Sequence, residues 1–303
     1  MLPPEIAKQI RLLEIRTNRT VDEITGGAYR SAFKGRGIEF EEVREYTVED
    51  DVRDIDWNVS ARMGTPYVKK FVEERELSVL LLVDVSASGV FGSSERSKRR
   101  TAAELAAILA FSAAHNGDKV GLLMFSDRIE LYVPPKSGRS HTLRLIREML
   151  AFEPVSKGTN IDLALRESAQ LLKKRSVVFL LSDLIDSQSY EASLKILNRK
   201  HDVIAVGLLD PTDTRWPSLL PVVVEDAETG RQIRFGGGKR ALRKLDEAFA
   251  SARRARQEIC RRARVDMVEI GSNRDVLLTD ENRMKGFPIT DGIGKMERTV
   301  SDN

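Results

Sequence analysis

At 303 residues, 41% of them hydrophobic, the chain is long enough to bury a substantial core in one large domain or slightly more. Its apolar runs, such as those at 79–83 and 177–181, fall far short of the roughly 20 residues that span a bilayer, which argues against membrane insertion. A formal net charge of +3 on a chain that is 31% charged gives no general basis for nucleic-acid binding, and a single cysteine, Cys260, excludes an internal disulfide.

Residues 1–16 lack the apolar centre of a signal peptide, and the lone thiol suits a reducing compartment, so a cytoplasmic location is expected. Residues 3–17 read as a short amphipathic helix with Ile6, Ile10 and Leu13 on one side. From Gly26 to about Arg75, glycines and charges punctuate the chain, and the alternation Ile38-Glu39-Phe40-Glu41 predicts short strands. Residues 1–76 are therefore expected to form a helix and a small β-rich segment.

Residues 77–275 alternate strands with helices. The run at 79–83 is apolar throughout, as in a strand covered on both faces. A helix rich in Ala and Leu spans 97–115, and strands follow at 120–125 and 129–133, the second a hairpin partner of the first. Helices at 140–151 and 160–174 precede a buried strand at 177–181; a helix at 187–200 leads into a strand at 203–209. Residues 221–235 read as a hairpin turning through Glu228-Thr229-Gly230, followed by a long basic helix at 238–264 and a strand at 266–270. Such alternation predicts an α/β fold, a doubly wound and mostly parallel sheet with helices on both faces. Residues 276–303 lose the pattern and are expected to form a flexible tail.

In an open parallel sheet, function collects at the carboxyl ends of the strands. Three loops expected there carry oxygen donors: Asp84-Val85-Ser86-Ala87-Ser88, Gly158-Thr159-Asn160 and Ser182-Asp183. The alternate spacing of Asp84, Ser86 and Ser88 lets a turning loop aim their oxygens at one point while the intervening residues face away. A carboxylate with hydroxyls suits Mg²⁺, which takes six oxygens and keeps some waters, with Mn²⁺ or Ca²⁺ as alternatives; zinc would ask for His or Cys. The competing reading is a set of helix-capping hydroxyls and acids.

Asp84, Ser86, Ser88, Thr159 and Asp183 together resemble the metal-ion-dependent adhesion site of von Willebrand factor A domains in identity, order and approximate spacing. That resemblance implies direct or water-mediated metal ligation by these residues, with Asp183 acting through water. It also implies an open position taken by a partner's carboxylate. A second resemblance covers about residues 5–275. Gly37, Glu39, Phe40, Arg44, Tyr46, Asp50, Asp51, Arg53, Ile55, Asp56, Trp57, Ala61 and Arg62 match the hallmark of the family called domain of unknown function 58. Val48-Glu49 stands where that family commonly has Pro-Gly, and Gly89 where it commonly has Met. The resemblance implies a cytoplasmic adaptor working with a MoxR-type AAA+ ATPase on a client protein in assembly or maturation.

Within that hallmark, Arg44, Arg53 and Arg62 interleave with Asp50, Asp51 and Asp56. Read from the residues, these charges form either an ion-paired surface hairpin or a charge-complementary docking face for a partner. Trp57 is expected to pack beneath the hairpin with Phe40 and Ile55, the alternative being an exposed partner anchor. Lys157, two residues before Thr159, is expected to draw a partner's carboxylate towards the cation.

Other features carry less. His115, His141 and His201 are scattered, as surface or helix-end residues would be. Gly236-Gly237-Gly238-Lys239 lacks the rest of a P-loop and reads as a turn leading into a helix. In that helix Leu242, Leu245, Phe249, Ala252 and Ile259 share a face, and Arg253, Arg254, Arg256, Arg261 and Arg262 dominate elsewhere. Asp246, Glu247 and Glu258 among them favour a solvated face over a nucleic-acid surface. A Mg²⁺-dependent hydrolase or phosphotransferase using Asp84 is the alternative function. Against it, position 86 is Ser rather than a second acid, and Lys157 is the only Lys or His within the three loops. A non-enzymatic, metal-dependent interaction module is expected.

Overall fold

The computed structural model describes residues 39–47, 50–52, 55–72, 77–90, 97–213, 222–225, 228, 230, 232–235 and 238–272. The helix expected at 3–17, the tail at 276–303 and Arg53 lie outside the described residues. In chain order the elements are β1 (Glu39–Glu45), α1 (Trp57–Met63), β2 (Tyr67–Val72), β3 (Ser78–Asp84), α2 (Lys98–His115), β4 (Lys119–Phe125), β5 (Ile129–Lys136) and α3 (Arg139–Ala151). There follow α4 (Ile161–Leu171), β6 (Val177–Ser182), α5 (Glu191–Lys200), β7 (Asp202–Leu209), β8 (Val222–Glu225), β9 (Gln232–Phe235), α6 (Lys239–Ala263) and β10 (Asp266–Gly271).

The expected doubly wound sheet is present. Six strands run in the order β10-β7-β6-β3-β4-β5, parallel except for β5, which pairs antiparallel with β4. β3 is central because both its faces are apolar. Val79, Leu81 and Val83 pack under α2 and α3 with Leu105, Phe111, Leu145 and Ile146. Leu80 and Leu82 enter the opposite core with Ile161, Leu165, Leu194, Leu197 and Cys260 from α4, α5 and α6. The small residues Ala102, Ala106, Ala110 and Ala113 let α2 lie close on the sheet, and Ser97 caps it by accepting from the Arg100 amide at 3.2 Å. Among the described residues no helix is long and apolar enough to cross a membrane.

β5 runs on to Lys136, and two helix boundaries differ from expectation by three residues or more. α4 ends at Leu171 because Leu172 turns extended and is buried, carrying the chain towards β6. α5 begins at Glu191 because the residues before it serve a loop, in which buried Tyr190 donates its hydroxyl to the Leu184 carbonyl at 3.1 Å.

The segment before the sheet folds differently from what its hydrophobicity suggests. β1 and β2 pair antiparallel, with α1 between them in the chain. Asp56 caps α1, its Oδ1 accepting from the amides of Asn58 at 3.0 Å and Val59 at 3.3 Å. Ser60 turns inward, donating to the Asp56 carbonyl and accepting from the Tyr67 amide at 2.8 Å. Among the residues whose burial is described, Asp56, Ser60 and Val68 are thus the buried ones, whereas Trp57 at the first helical position is 70% exposed. The expectation that Trp57 packs underneath is corrected: the cap fixes the helix so that the indole points outward. Arg44 grips Asp50 through both carboxylate oxygens, at 2.8 and 2.5 Å, and Asp50 also accepts from the Thr47 amide and hydroxyl. The Arg44 fork and these bonds hold the Asp50 carboxyl down at about 2. Asp51 and Arg62 are exposed.

Candidate functional site

The winding of the sheet reverses around β3, since β4 follows on one side and β6 on the other. The carboxyl ends of β3 and β6 are therefore a topological switch point, where ligands of open α/β sheets bind. Their register sets Val83 beside Leu181, so that Asp84 and Ser182 extend side by side.

Asp84 is 7% exposed. Its Oδ1 accepts from the Ser86 amide at 2.9 Å, and its Oδ2 accepts from the Ser182 hydroxyl at 2.7 Å. Both donors are neutral. Burial, and then the negative charge of Asp183, push the Asp84 carboxyl up to about 7. The Ser86 and Ser88 hydroxyls stand 3.0 Å apart, within hydrogen-bond distance of each other.

Thr159 comes from a loop fastened at several points. The Lys157 carbonyl accepts from the Ala87 amide at 3.0 Å, and the Ser126 carbonyl accepts from the Asn160 amide at 2.9 Å. Glu130 on β5 accepts from the Ser126 hydroxyl at 2.6 Å and the Ser156 amide at 3.1 Å, tying the loop to the sheet. Asn160 and Asp186 then cap α4, through the Leu163 amide at 2.9 Å and the Ile161 amide at 2.7 Å. Lys157 is exposed beside this loop. The Thr159 hydroxyl itself donates to Glu228, in the turn between β8 and β9, at 2.6 Å.

Asp183 sits in different company. The Lys98 ammonium, at the start of α2 and 5% exposed, lies 3.3 Å from its Oδ2 and 2.7 Å from Asp213 Oδ2. Burial alone would lower the Lys98 pKa, but the two carboxylates outweigh it and keep the ammonium charged. Arg256 donates from Nη1 to the Asp183 carbonyl at 3.0 Å. The next residue, Leu184, is buried with φ 58°, the left-handed region that a bulky side chain seldom enters. The Ser182 hydroxyl, accepting from its amide at 2.9 Å, and Tyr190 hold it there.

Two expectations are corrected here. Lys157 is not the only Lys at these loops, because α2 brings Lys98 in from another part of the chain. Arg256 does not belong to a solvated face: it is buried on the same side of α6 as Leu245, Cys260 and Ala263. The network also enlists Asp213 and buried Asp210 from the end of β7; Asp210 accepts from the Thr212 and Ser272 hydroxyls at 2.6 and 3.2 Å.

The donors at these loops are oxygens, the kind a hard cation takes. Among the described residues no group of three or more His, Cys, Asp or Glu is placed to hold a metal. An ion at the Asp84 loop would therefore depend on hydroxyls as well as acid, an arrangement suited to Mg²⁺ and unsuited to zinc. A buried carboxylate hydrogen-bonded only by neutral groups is also where a countercharge would lower the free energy most. Cys260 is buried, and burial pushes its thiol up to about 11, so it is a packing residue rather than a nucleophile.

Solved structures similar to the chain include BatB from Bacteroides thetaiotaomicron, 14% identical, covering 69% of this chain and 94% of that one with a TM-score of 0.44. They also include the von Willebrand A domain of SpRpn10, 14% identical, covering 72% and 99% with a TM-score of 0.39. At these scores the likenesses carry no functional weight. Sequence relatives are closer: the uncharacterised proteins Rv1480 of Mycobacterium tuberculosis and Mb1516 of Mycobacterium bovis are each 32% identical over 229 residues, or 75% of this chain and 72% of their own length. The family described as "Protein of unknown function DUF58" matches residues 42–259, most of the chain, and the protein belongs to that family.

Proposed function

We propose that the protein is a non-enzymatic interaction module that binds a partner through a divalent cation, Mg²⁺ in the first instance, held at the Asp84 loop. The observation that carries this reading is Asp84 itself, a buried carboxylate at the switch point whose hydrogen-bond donors are all neutral. Asp84, Ser86, Ser88 and Thr159 would hold the ion, with Asp183 acting through water. When bound, the ion supplies a Lewis-acidic position that an acidic side chain of a partner can complete. The exposed ammonium of Lys157 would draw that acid in. Arg62, Asp51 and exposed Trp57 would add a second contact region, for which Arg44, Asp50 and Asp56 provide the internal frame. The family resemblance points to a MoxR-type AAA+ ATPase and a client protein as partners, in the cytoplasm.

Lys98 favours a second reading, a Mg²⁺-dependent hydrolase or phosphotransferase, since such enzymes place a lysine beside the reacting acid. Here, however, Lys98 is held charged between two carboxylates and has no proton-accepting role, and Ser86 stands where an acid would be needed. The two readings separate in one set of assays. Capture of the cognate ATPase by wild type in Mg²⁺ should vanish in EDTA and in Asp84→Ala and Thr159→Ala, with circular dichroism unchanged. Turnover of phosphate or acyl esters that disappears in both Asp84→Ala and Lys98→Ala, with both variants folded by circular dichroism, would instead establish the enzyme.

A further inference from the structure

The β8–β9 hairpin is a sheet of its own, inserted between β7 and α6, and its turn carries Glu228. Glu228 is 69 positions from Thr159 in sequence, yet its Oε1 takes the Thr159 hydroxyl at 2.6 Å. A distant excursion of the chain therefore delivers a carboxylate to the very hydroxyl that would ligate the cation. A neutral hydroxyl attracts a carboxylate weakly compared with a dication a bond length beyond it. Asp84, Ser86, Ser88 and Thr159 supply fewer than the six oxygens Mg²⁺ takes, so a coordination position remains for one more acid.

We infer that Glu228 is a built-in carboxylate for this site, one that closes onto the cation in the position a partner's acid must take. This inference rests on the cation reading above and adds its regulation. The hairpin acts as a strap. Because it is tethered, its carboxylate competes at an effective concentration of about millimolar or more, so a free acidic side chain cannot displace it at ordinary concentrations. The partner must either present its acid within a larger interface or lift the hairpin away. The chemistry of the displaced group also specifies the class of ligand, a Glu or Asp on a protein surface.

The test uses Mn²⁺ as probe with the full chain, reading its affinity by calorimetry and the water-proton relaxation of the bound ion. Glu228→Gln keeps the shape of the side chain, and Glu228→Ala removes it. Both should weaken Mn²⁺ binding about tenfold, by analogy with the loss of a supporting group at a metal site. Both should raise the relaxation rate per bound ion, because water fills the vacated position. If wild type binds Mn²⁺ and both variants match it in affinity and relaxation, the strap is refuted while the cation site stands. If wild type binds no Mn²⁺, the cation reading fails and the strap fails with it.

Discussion

At the carboxyl edge of the sheet, β3 ends in Asp84 and its neighbour β6 runs into Asp183, and both acids are buried. Asp183 is met by an ammonium, Lys98, and by a guanidinium that grips its backbone carbonyl. Asp84 is met by an amide and a hydroxyl. One acid carries its countercharge within the chain, and the other does not. The difference locates the chemistry: a cation from solution has more to gain at Asp84 than at Asp183, which shares the Lys98 ammonium with Asp213. It also suits the water-mediated role proposed for Asp183, because an acid already paired with an ammonium exerts a weaker direct pull on an ion.

The largest effect should come from breaking the internal pair. Lys98→Ala leaves buried Asp183 and half-buried Asp213 without their cation and should cost about 3–5 kcal/mol, as breaking buried ion pairs does. Chemical denaturation in EDTA would measure it. Unchanged stability would mean that Asp183 is no better matched than Asp84.

A smaller effect should come from supplying the missing charge. Mg²⁺ bound only to the folded form and present at a hundred times its dissociation constant adds about 2.7 kcal/mol. The sign of the pH dependence follows from Asp84. Unfolded, it loses its proton near the ordinary carboxyl value of 3.8; folded without metal, it keeps the proton to about 7. The unfolded state therefore binds fewer protons across that window, and metal-free stability falls as pH rises through it. The stabilisation by Mg²⁺ should accordingly be greater near pH 8 than near pH 5, where the ion must displace the proton. Asp84→Asn should abolish both the Mg²⁺ effect and Asp84's share of the decline, as read by thermal midpoints across pH.

The smallest effect belongs to the segment before the sheet. Trp57 is 70% exposed, so Trp57→Ser should change stability by no more than about 0.5 kcal/mol. A large loss in the denaturation midpoint would restore the buried indole that hydrophobicity alone suggests.

These contrasts also mark what could be read from the sequence. The strands at 79–83, 120–125, 177–181 and 203–209 were legible because a buried parallel strand is apolar on both faces, a pattern needing no tertiary information. The residues around Asp84 were legible as a motif. The cations that meet Asp183 were not, because Lys98 and Arg256 reach the loops through packing rather than spacing. A faint signal existed for each. Lys98 opens a helix, where the dipole disfavours a cation, so it had reason to seek an acid. Arg256 falls seven residues after Phe249 and four before Cys260, on the apolar stripe rather than the polar face. Trp57 misled for the opposite reason: the Asp56 cap, not the size of the indole, sets which way the helix faces.

Whether a divalent cation completes Asp84 is read most plainly from the proton the ion should release. Mg²⁺ is titrated at about pH 6.5 into wild type and Asp84→Asn by calorimetry, in two buffers of different ionisation heat. Wild type should bind the ion and release a substantial fraction of a proton per site, and Asp84→Asn should neither bind tightly nor release one. Binding of equal strength in both proteins, without proton release, would contradict a cation at Asp84.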